Sequence, residues 1–294
     1  MFARPLPKHA FMVGNEPRSK WNTMRLLDHL LRPYSTAVRH RDLIWRMARR
    51  EIDARTKSTS LGTIWLVVSP LLLLSAYTFV FTFIFKSRWD IPDSGQGNVA
   101  LFLFSGMTVF GIASECINRA PGLVLENVSY VKKVVFPLEI LPWISLISAV
   151  VLAGINFGLL LLAHLLFFGL PPATALLLPL VLLPLLLMTM GLSWLLASLG
   201  VFLRDIKHIT GFLVTFMMFL GPVFYPLSAV PESLRGFMYL NPITLAIEQT
   251  RQVMFWGQMP SLAAYVIALA AGLAVSSLGF AWFMKTRKGF ADVL

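Results

Sequence analysis

Charged residues are scarce in this sequence. Asp, Glu, Lys and Arg make up 13% of its 294 residues against 57% hydrophobic, where a soluble domain is about a quarter charged. That excludes a soluble globule and leaves a polytopic membrane protein, because so much apolar surface has no aqueous fold in which to hide. Cysteine is nearly missing: Cys116 stands alone, so no disulfide can form within the chain. The first 60 residues hold no apolar core of signal-peptide type, so cleavage is not expected and the first span would insert the chain.

Chemical motifs are missing too. No Gly-x-x-x-x-Gly-Lys-Ser/Thr loop occurs, and the pair Lys57 and Ser58 lacks the glycines that cradle phosphate. His9, His29, His40, His164 and His208 never approach metal-ligand spacing. The acids expected outside, Asp90, Asp93, Glu232 and Glu248, are scattered over three segments rather than clustered as an enzyme needs. Glu115, near the inner end of the second span, and His164, near the outer end of the third, are too little for a proton or sodium relay. Energy for uphill transport would therefore come from a separate ATPase.

What is present is basic and lopsided. The net charge is +11, but 13 of the 25 Lys and Arg lie in the first 57 residues, which is a topology signal and not a nucleic-acid footprint. Six spans are expected, roughly 62–86, 99–118, 138–168, 174–200, 209–227 and 261–284. A cytoplasmic amino terminus puts 21 of the 25 basic residues inside and leaves Lys86, Arg88, Arg235 and Arg251 outside.

Residues 1–38 read as a polar, basic, loosely ordered cytoplasmic extension. From 39 to 60 follows a helix whose Leu43, Ile44, Met47, Ala48 and Ile52 recur at helical spacing among Arg and Lys. Its stripe is too narrow to cross a bilayer. It reads as an interfacial helix, or else as a solvated basic one. The transmembrane domain, 61–294, begins at Gly62, where a residue without a side chain lets the backbone bend into the uncharged run Leu61–Phe85.

Between the second and third spans, NRAPGLVLENVSYVKKVVFPLEILP is unusually apolar for a loop. Leu123, Val124, Val128, Val131 and Val135 give one face to bury, with Glu126, Lys132 and Lys133 outside. Either that face docks on another protein or it packs under its own bundle. Gly169, Pro171 and Pro172 make the turn between the third and fourth spans, Pro179 and Pro184 should kink the fourth, and Arg204, Asp205, Lys207 and His208 close a charged inner turn.

From Tyr225 to Pro260 the chain is too apolar for a free loop, yet Pro226, Pro231 and Pro242 cut it into pieces too short to span. Two re-entrant half-helices are predicted, about Pro231–Leu240 and Pro242–Trp256, with Asn241 capping the second. Glu248 and Arg251, three apart on one face, would pair at limited depth. Irregular backbone at membrane depth is tolerated where it lines a cavity, which suits a gate. Aromatic residues abound, 23 Phe, 8 Trp and 6 Tyr. Most would pack or face lipid, and a few would line a passage.

The segments TKSTSLGTIWLVVSPLL, VKKVVFPLEILP, FLRDIKHI, GPVFYPLSAVP and LNPITLAIEQTRQ, in this order from about residue 38 onward, give the chain its likeness. It resembles the membrane (permease) subunits of type-2 ABC exporters that carry lipid-linked polysaccharide, most of all the O-antigen exporters, and at greater distance the capsule and teichoic-acid exporters. The leader before Val38 departs from that pattern. The resemblance implies an all-α inner-membrane protein with both termini cytoplasmic, working as a homodimer with two copies of an ATPase around a channel at the dimer interface. No cofactor belongs on this chain, and ATP and Mg would sit on the partner. By the same resemblance, Leu123, Val124, Glu126, Val128, Tyr130, Lys132 and Lys133 would form the coupling helix. Pro231, Asn241, Pro242, Glu248 and Arg251 would form the external gate. Trp65, Tyr77, Phe216 and Tyr225 would lie near the sugar path. Arg46, Arg49, Arg50 and Arg55 would either meet the lipid pyrophosphate or simply attract anionic lipid. A small-molecule cargo on the same fold, and an envelope-synthesis enzyme, are the competing readings.

Overall fold

The computed structural model describes residues 32–57, 61–84, 98–131 and 136–294, and among them every regular element is helical. The loop after the first span, expected to be external, the leader before residue 32, and Lys132 and Lys133 lie outside the described residues. Helix α1 (32–39) leads into α2 (Arg41–Thr56). The stripe of α2 faces inward as its spacing predicts, with Ile44 and Ala48 buried and Leu43 and Met47 packed beside them, while Arg46, Arg49 and Arg50 stay exposed. Tyr34 of α1 donates a hydrogen bond to Ser276 Oγ at 3.0 Å, so the end of the leader is tied to the last span.

Gly62 adopts φ 54°, a left-handed conformation that side chains rarely take, and there the chain turns from the surface into the first span. That span runs through α3 (Trp65–Tyr77) into a π-helical stretch, Thr78–Ile84. The second, third, fourth and last spans are α4 (Asn98–Arg119), α6 (Leu141–Phe168), α7 (Leu178–Phe202) and α11 (Leu262–Thr286). A short helix, α5 (Val128–Val131), lies between α4 and α6. No residue of Gly62–Phe81 is buried, whereas most of Val99–Gly122 is, so α4 is the central post and the first span stands at the edge.

Five helices among the described residues are long and apolar enough to cross a membrane. The expected fifth span is the difference. It forms α8 (Ile206–Leu220), 15 residues long, or about 22 Å at 1.5 Å per residue against a hydrocarbon core of about 30 Å. The helix stops because Gly221 turns to extended backbone and Pro222 follows, whose ring cannot continue a helix. Pro179 also differs from expectation. It occupies the first turn of α7, where proline is accommodated without a kink, and only Pro184 lies inside the helix.

Helices α7 and α11 pack closest of all. A Cβ on Gly279 would run into the carbonyl of Gly191, one on Gly191 would run into the backbone of Val275, and one on Gly272 would sit 2.7 Å from the Pro184 carbonyl. Gly272, Ser276 and Gly279 thus form a small-residue seam, which lets two backbones approach where no water drives helices together. Arg287, past the end of α11, pairs with Glu139 at 2.6 Å, and Trp194 of α7 donates to the Glu139 carbonyl at 3.0 Å. These bonds fix the start of the third span against the fourth and last. Two short helices, α9 (Glu232–Met238) and α10 (Pro242–Phe255), fill the predicted re-entrant positions, and α12 (Phe290–Val293) ends the chain with Phe290 buried against Phe202 and Phe283.

Gly279→Ala should destabilise the protein by about 1–3 kcal/mol through overpacking. Gly158→Ala, in a helix with nothing within 4 Å of the new methyl, should leave stability unchanged or raise it by up to about 1 kcal/mol. Thermal melting of the two purified variants checks the contrast.

Candidate functional site

At the end of the bundle opposite α2, the starts of α9 and α10 are built as their sequence suggests. Pro231 precedes α9, and Pro242 opens α10 in its first turn. Asn241 Oδ1 accepts from the Ile243 N–H at 3.1 Å, capping α10, while its Nδ2 donates to the Met217 carbonyl at 2.9 Å. One side chain therefore starts α10 and ties it to α8.

Arg251 is the larger surprise. Its guanidinium is fully buried. Nη1 donates to Glu248 Oε1 at 3.2 Å and reaches the Tyr225 carbonyl at 3.5 Å, while Nη2 donates to the Val223 carbonyl at 3.2 Å and the Phe102 carbonyl at 3.4 Å. Its central carbon lies 3.6 Å from the centre of the Phe102 ring, a cation–π contact strengthened by the absence of water. Gly106 makes room: a Cβ there would sit 2.9 Å from Nη2. The pair itself was readable from the i, i+3 spacing. The partners on α4 and in 221–225 were not, because nothing local in the sequence brings them near.

At the α2 face the structure gathers four charges. Arg55 pairs with Glu115 and Arg119 with Glu51, and the diagonal contacts Arg55–Glu51 and Arg119–Glu115 are 3.5 and 3.7 Å. This quartet bolts α2 to the end of α4. Burial, and then the like charge of Arg119, lower the Arg55 pKa from its usual value, with Glu51 opposing. Arg55, unlike Arg46, Arg49 and Arg50, is thus held by carboxylates of its own chain. Arg46, Arg49 and Arg50 remain exposed on α2. The i, i+4 spacings of Glu51 with Arg55 and of Glu115 with Arg119 hinted at the pairs. Their meeting across helices was invisible.

The segment after α4 is less regular than a single coupling helix. It consists of 3₁₀ turns at Ala120–Gly122 and Leu125–Asn127 followed by α5. Leu123 and Val124 are buried in this chain's own core, as the packing alternative required for them. Glu126 is exposed, Val128 and Tyr130 are half-buried, and Tyr130 stacks on Phe136 at 4.3 Å. The turn is held close because Gly200 of α7 lies against the Pro121 backbone, leaving no space for a Cβ.

Of the aromatic candidates, Trp65 and Phe216 are exposed, and Tyr77 and Tyr225 are half-buried. Tyr77 packs edge-on to Phe81, and the Tyr225 hydroxyl donates to the Phe219 carbonyl at 2.8 Å. On α8, Phe212, Phe216 and Phe219 share one exposed face. They are not brought together with Trp65 or Tyr77 within one chain. Among the described residues no group of His, Cys, Asp and Glu is arranged to hold a metal.

The bundle thus carries several helices long and apolar enough to cross a membrane, with two short helices at one end and an amphipathic helix tied on by ion pairs at the other. The chain belongs to the ABC-2 type transporter family, whose pattern it matches over residues 42–255. It is similar to the O-antigen export system permease protein RfbA of Myxococcus xanthus, at 26% identity over 90% of this chain and 99% of that protein. It is similar also to two O-antigen export system permease proteins RfbA of Klebsiella pneumoniae, at 25% and 24% identity, each over 86% of this chain and 95% of the relative. Membership makes the chain a transporter permease subunit, not an enzyme, and implies a partner ATPase.

Replacing Arg251 with Met should cost about 3–5 kcal/mol, because Glu248 is left as an uncompensated buried charge. Adding Glu248→Gln should restore a large part of that loss. A double-mutant cycle by thermal or denaturant unfolding reads both numbers. At the other face, Glu51→Gln with Glu115→Gln should loosen α2, seen as faster hydrogen exchange over Arg41–Thr56 with exchange in α7 unchanged.

Proposed function

We propose that this chain forms half of the channel of an ATP-driven exporter that moves lipid-linked polysaccharide, O-antigen foremost, from the cytoplasm to the periplasm. The observation that carries the reading is that relatives aligned over 86–90% of this chain are named O-antigen export permeases. The channel would form between two copies. Support comes from α3 and α8, which leave Leu71, Leu72, Phe212, Phe216 and Phe219 uncovered, faces that a second copy would bury or share as walls. Aromatic walls suit a sugar polymer, since their faces stack on sugar rings without trapping them.

In this reading α8, extended by 221–225, serves as the sixth span, and both termini are cytoplasmic. The α2 face lies over the ATPase, and Glu126, Val128, Tyr130, Lys132 and Lys133 form the coupling surface. Closure of two ATPases on ATP and Mg pushes that surface. Because the quartet joins α2 to α4, and Arg251 joins α4 to α10, the push reaches the gate residues Pro231, Asn241, Pro242, Glu248 and Arg251. The exposed Arg46, Arg49 and Arg50 draw the lipid pyrophosphate to the inner mouth, with Trp65, Tyr77, Phe216 and Tyr225 along the path beyond.

Depletion of the protein in its host tests the assignment. Full-length polymer should accumulate on the cytoplasmic side with none at the surface; undiminished surface polymer would sink the polysaccharide cargo and leave a small-molecule pump. Neutralising Arg46, Arg49 and Arg50 together should slow export while the permease–ATPase complex still assembles. Unchanged export would reduce these arginines to general attraction for anionic lipid.

A further inference from the structure

A cavity of about 590 Å³ lies between α7, α10 and α11, in the half of the bundle opposite α2. Its walls are apolar along two helices. Val181 and Leu185 line it from α7, and Ala264, Ala268 and Ala271 line it from α11, where three small side chains at i, i+4 and i+7 hollow one helix face. Leu240 and Ile267, also in the lining, are 75% and 70% exposed, so the hollow opens sideways between α10 and α11, toward the hydrocarbon around the bundle.

The cavity's polar end comes mainly from α10, with Tyr239 after α9 and Ser261 before α11 also in the lining. Glu248, Gln249 and Gln252 line it there. Gln249 is 2% exposed, and its side-chain Nε2 has no hydrogen-bond partner among the described residues. A buried amide without an acceptor is costly, and a site that leaves one facing a hollow is built for an acceptor that arrives with a ligand. Glu248 gives Oε1 to Arg251 and makes no hydrogen bond through Oε2 among the described residues. Because Arg251 balances Glu248, the polar end as a whole is neutral. It suits a head that carries both a donor and an acceptor better than a purely anionic one.

We propose that this cavity binds one phospholipid with a primary-amine, zwitterionic head from the leaflet on that side. One acyl chain fills the hollow between α7 and α11, a phosphate oxygen accepts from Gln249 Nε2, and the ammonium donates to Glu248 Oε2. The site lies away from the α3 and α8 faces, neither of which contributes to its lining, and it shares Pro242 and Glu248 with the proposed gate. A bound lipid would tie the re-entrant α10 to the closely packed α7–α11 pair, making the resting position of the gate depend on the surrounding lipid.

The test uses the full chain in nanodiscs of phosphatidylethanolamine and phosphatidylglycerol with a trace of phosphatidylethanolamine bearing a photoactivatable acyl chain. Crosslinks located by mass spectrometry should concentrate on the α10 and α11 lining and fall by about tenfold, or 1.4 kcal/mol of affinity, when Ala268→Trp fills the hollow. Ala264→Phe serves the same purpose should Ala268→Trp fail to fold. The same probe built on phosphatidylglycerol should label the site less in the wild type, a preference that Gln249→Leu should abolish. Labelling spread evenly over all lipid-facing helices, or unchanged by the filling variants, would overturn the proposal. So would equal labelling by the two headgroups. No transport is read, so the outcome is independent of the cargo assignment.

Discussion

A guanidinium without water sets the terms for half of this protein. A charge removed from water and placed at membrane depth is tolerable only when its field is met by an opposite charge and its N–H groups by acceptors. Arg251 draws these from three places at once: Glu248 on its own helix, carbonyls at Val223 and Tyr225, and the carbonyl and ring of Phe102. Each requirement fixes a neighbour. The chain must leave its helix at Gly221 so that carbonyls past it are free to accept, and Gly106 must lack a side chain so that α4 can approach. The end of α8, set by Gly221 and Pro222, thus frees the carbonyls that Arg251 needs, and the same cation fixes α10 against α4.

Helix α4 carries the anchors of both faces. Phe102 and Gly106 meet Arg251 near one end, and Glu115 and Arg119 meet Glu51 and Arg55 near the other. Its 22 residues make one rod of about 33 Å, buried through most of its length. The amphipathic helix α2 at one face and the short helix α10 at the other are therefore fastened to the same rigid element. The α7–α11 pair, by contrast, is joined backbone to backbone along its glycine seam and tied to the third span by Glu139 and Arg287. One part of the bundle is held by charges that can exchange partners, and the other by contacts that admit no slack.

Much of this was legible in the sequence because it depended on neighbours along the chain. The uncharged runs named the long spans, the spacing of Ile44 and Ala48 named the buried face of α2, and Gly62 marked the bend that its positive φ later explains. Asn241 and Pro242 announced the start of α10 by the local chemistry of a helix amino terminus. Other readings left alternatives that only distant partners bear on. The face containing Leu123 and Val124 looked available for docking, but it is occupied by the protein's own core. Arg55 bonds to Glu115, sixty positions away, a partner the local spacing did not name.

By itself the sequence determined that this chain lives in a membrane, where its helices begin, and which stretches are too broken by proline to cross. Those properties follow from hydropathy, backbone geometry and caps, all of which act within a few residues. Only the tertiary structure decided which charges neutralise one another, which glycines face a backbone and which side chains surround a hollow. These depend on helices far apart in sequence meeting at van der Waals distance, and Arg251 with Phe102, 149 positions apart and in contact, is a meeting of that kind.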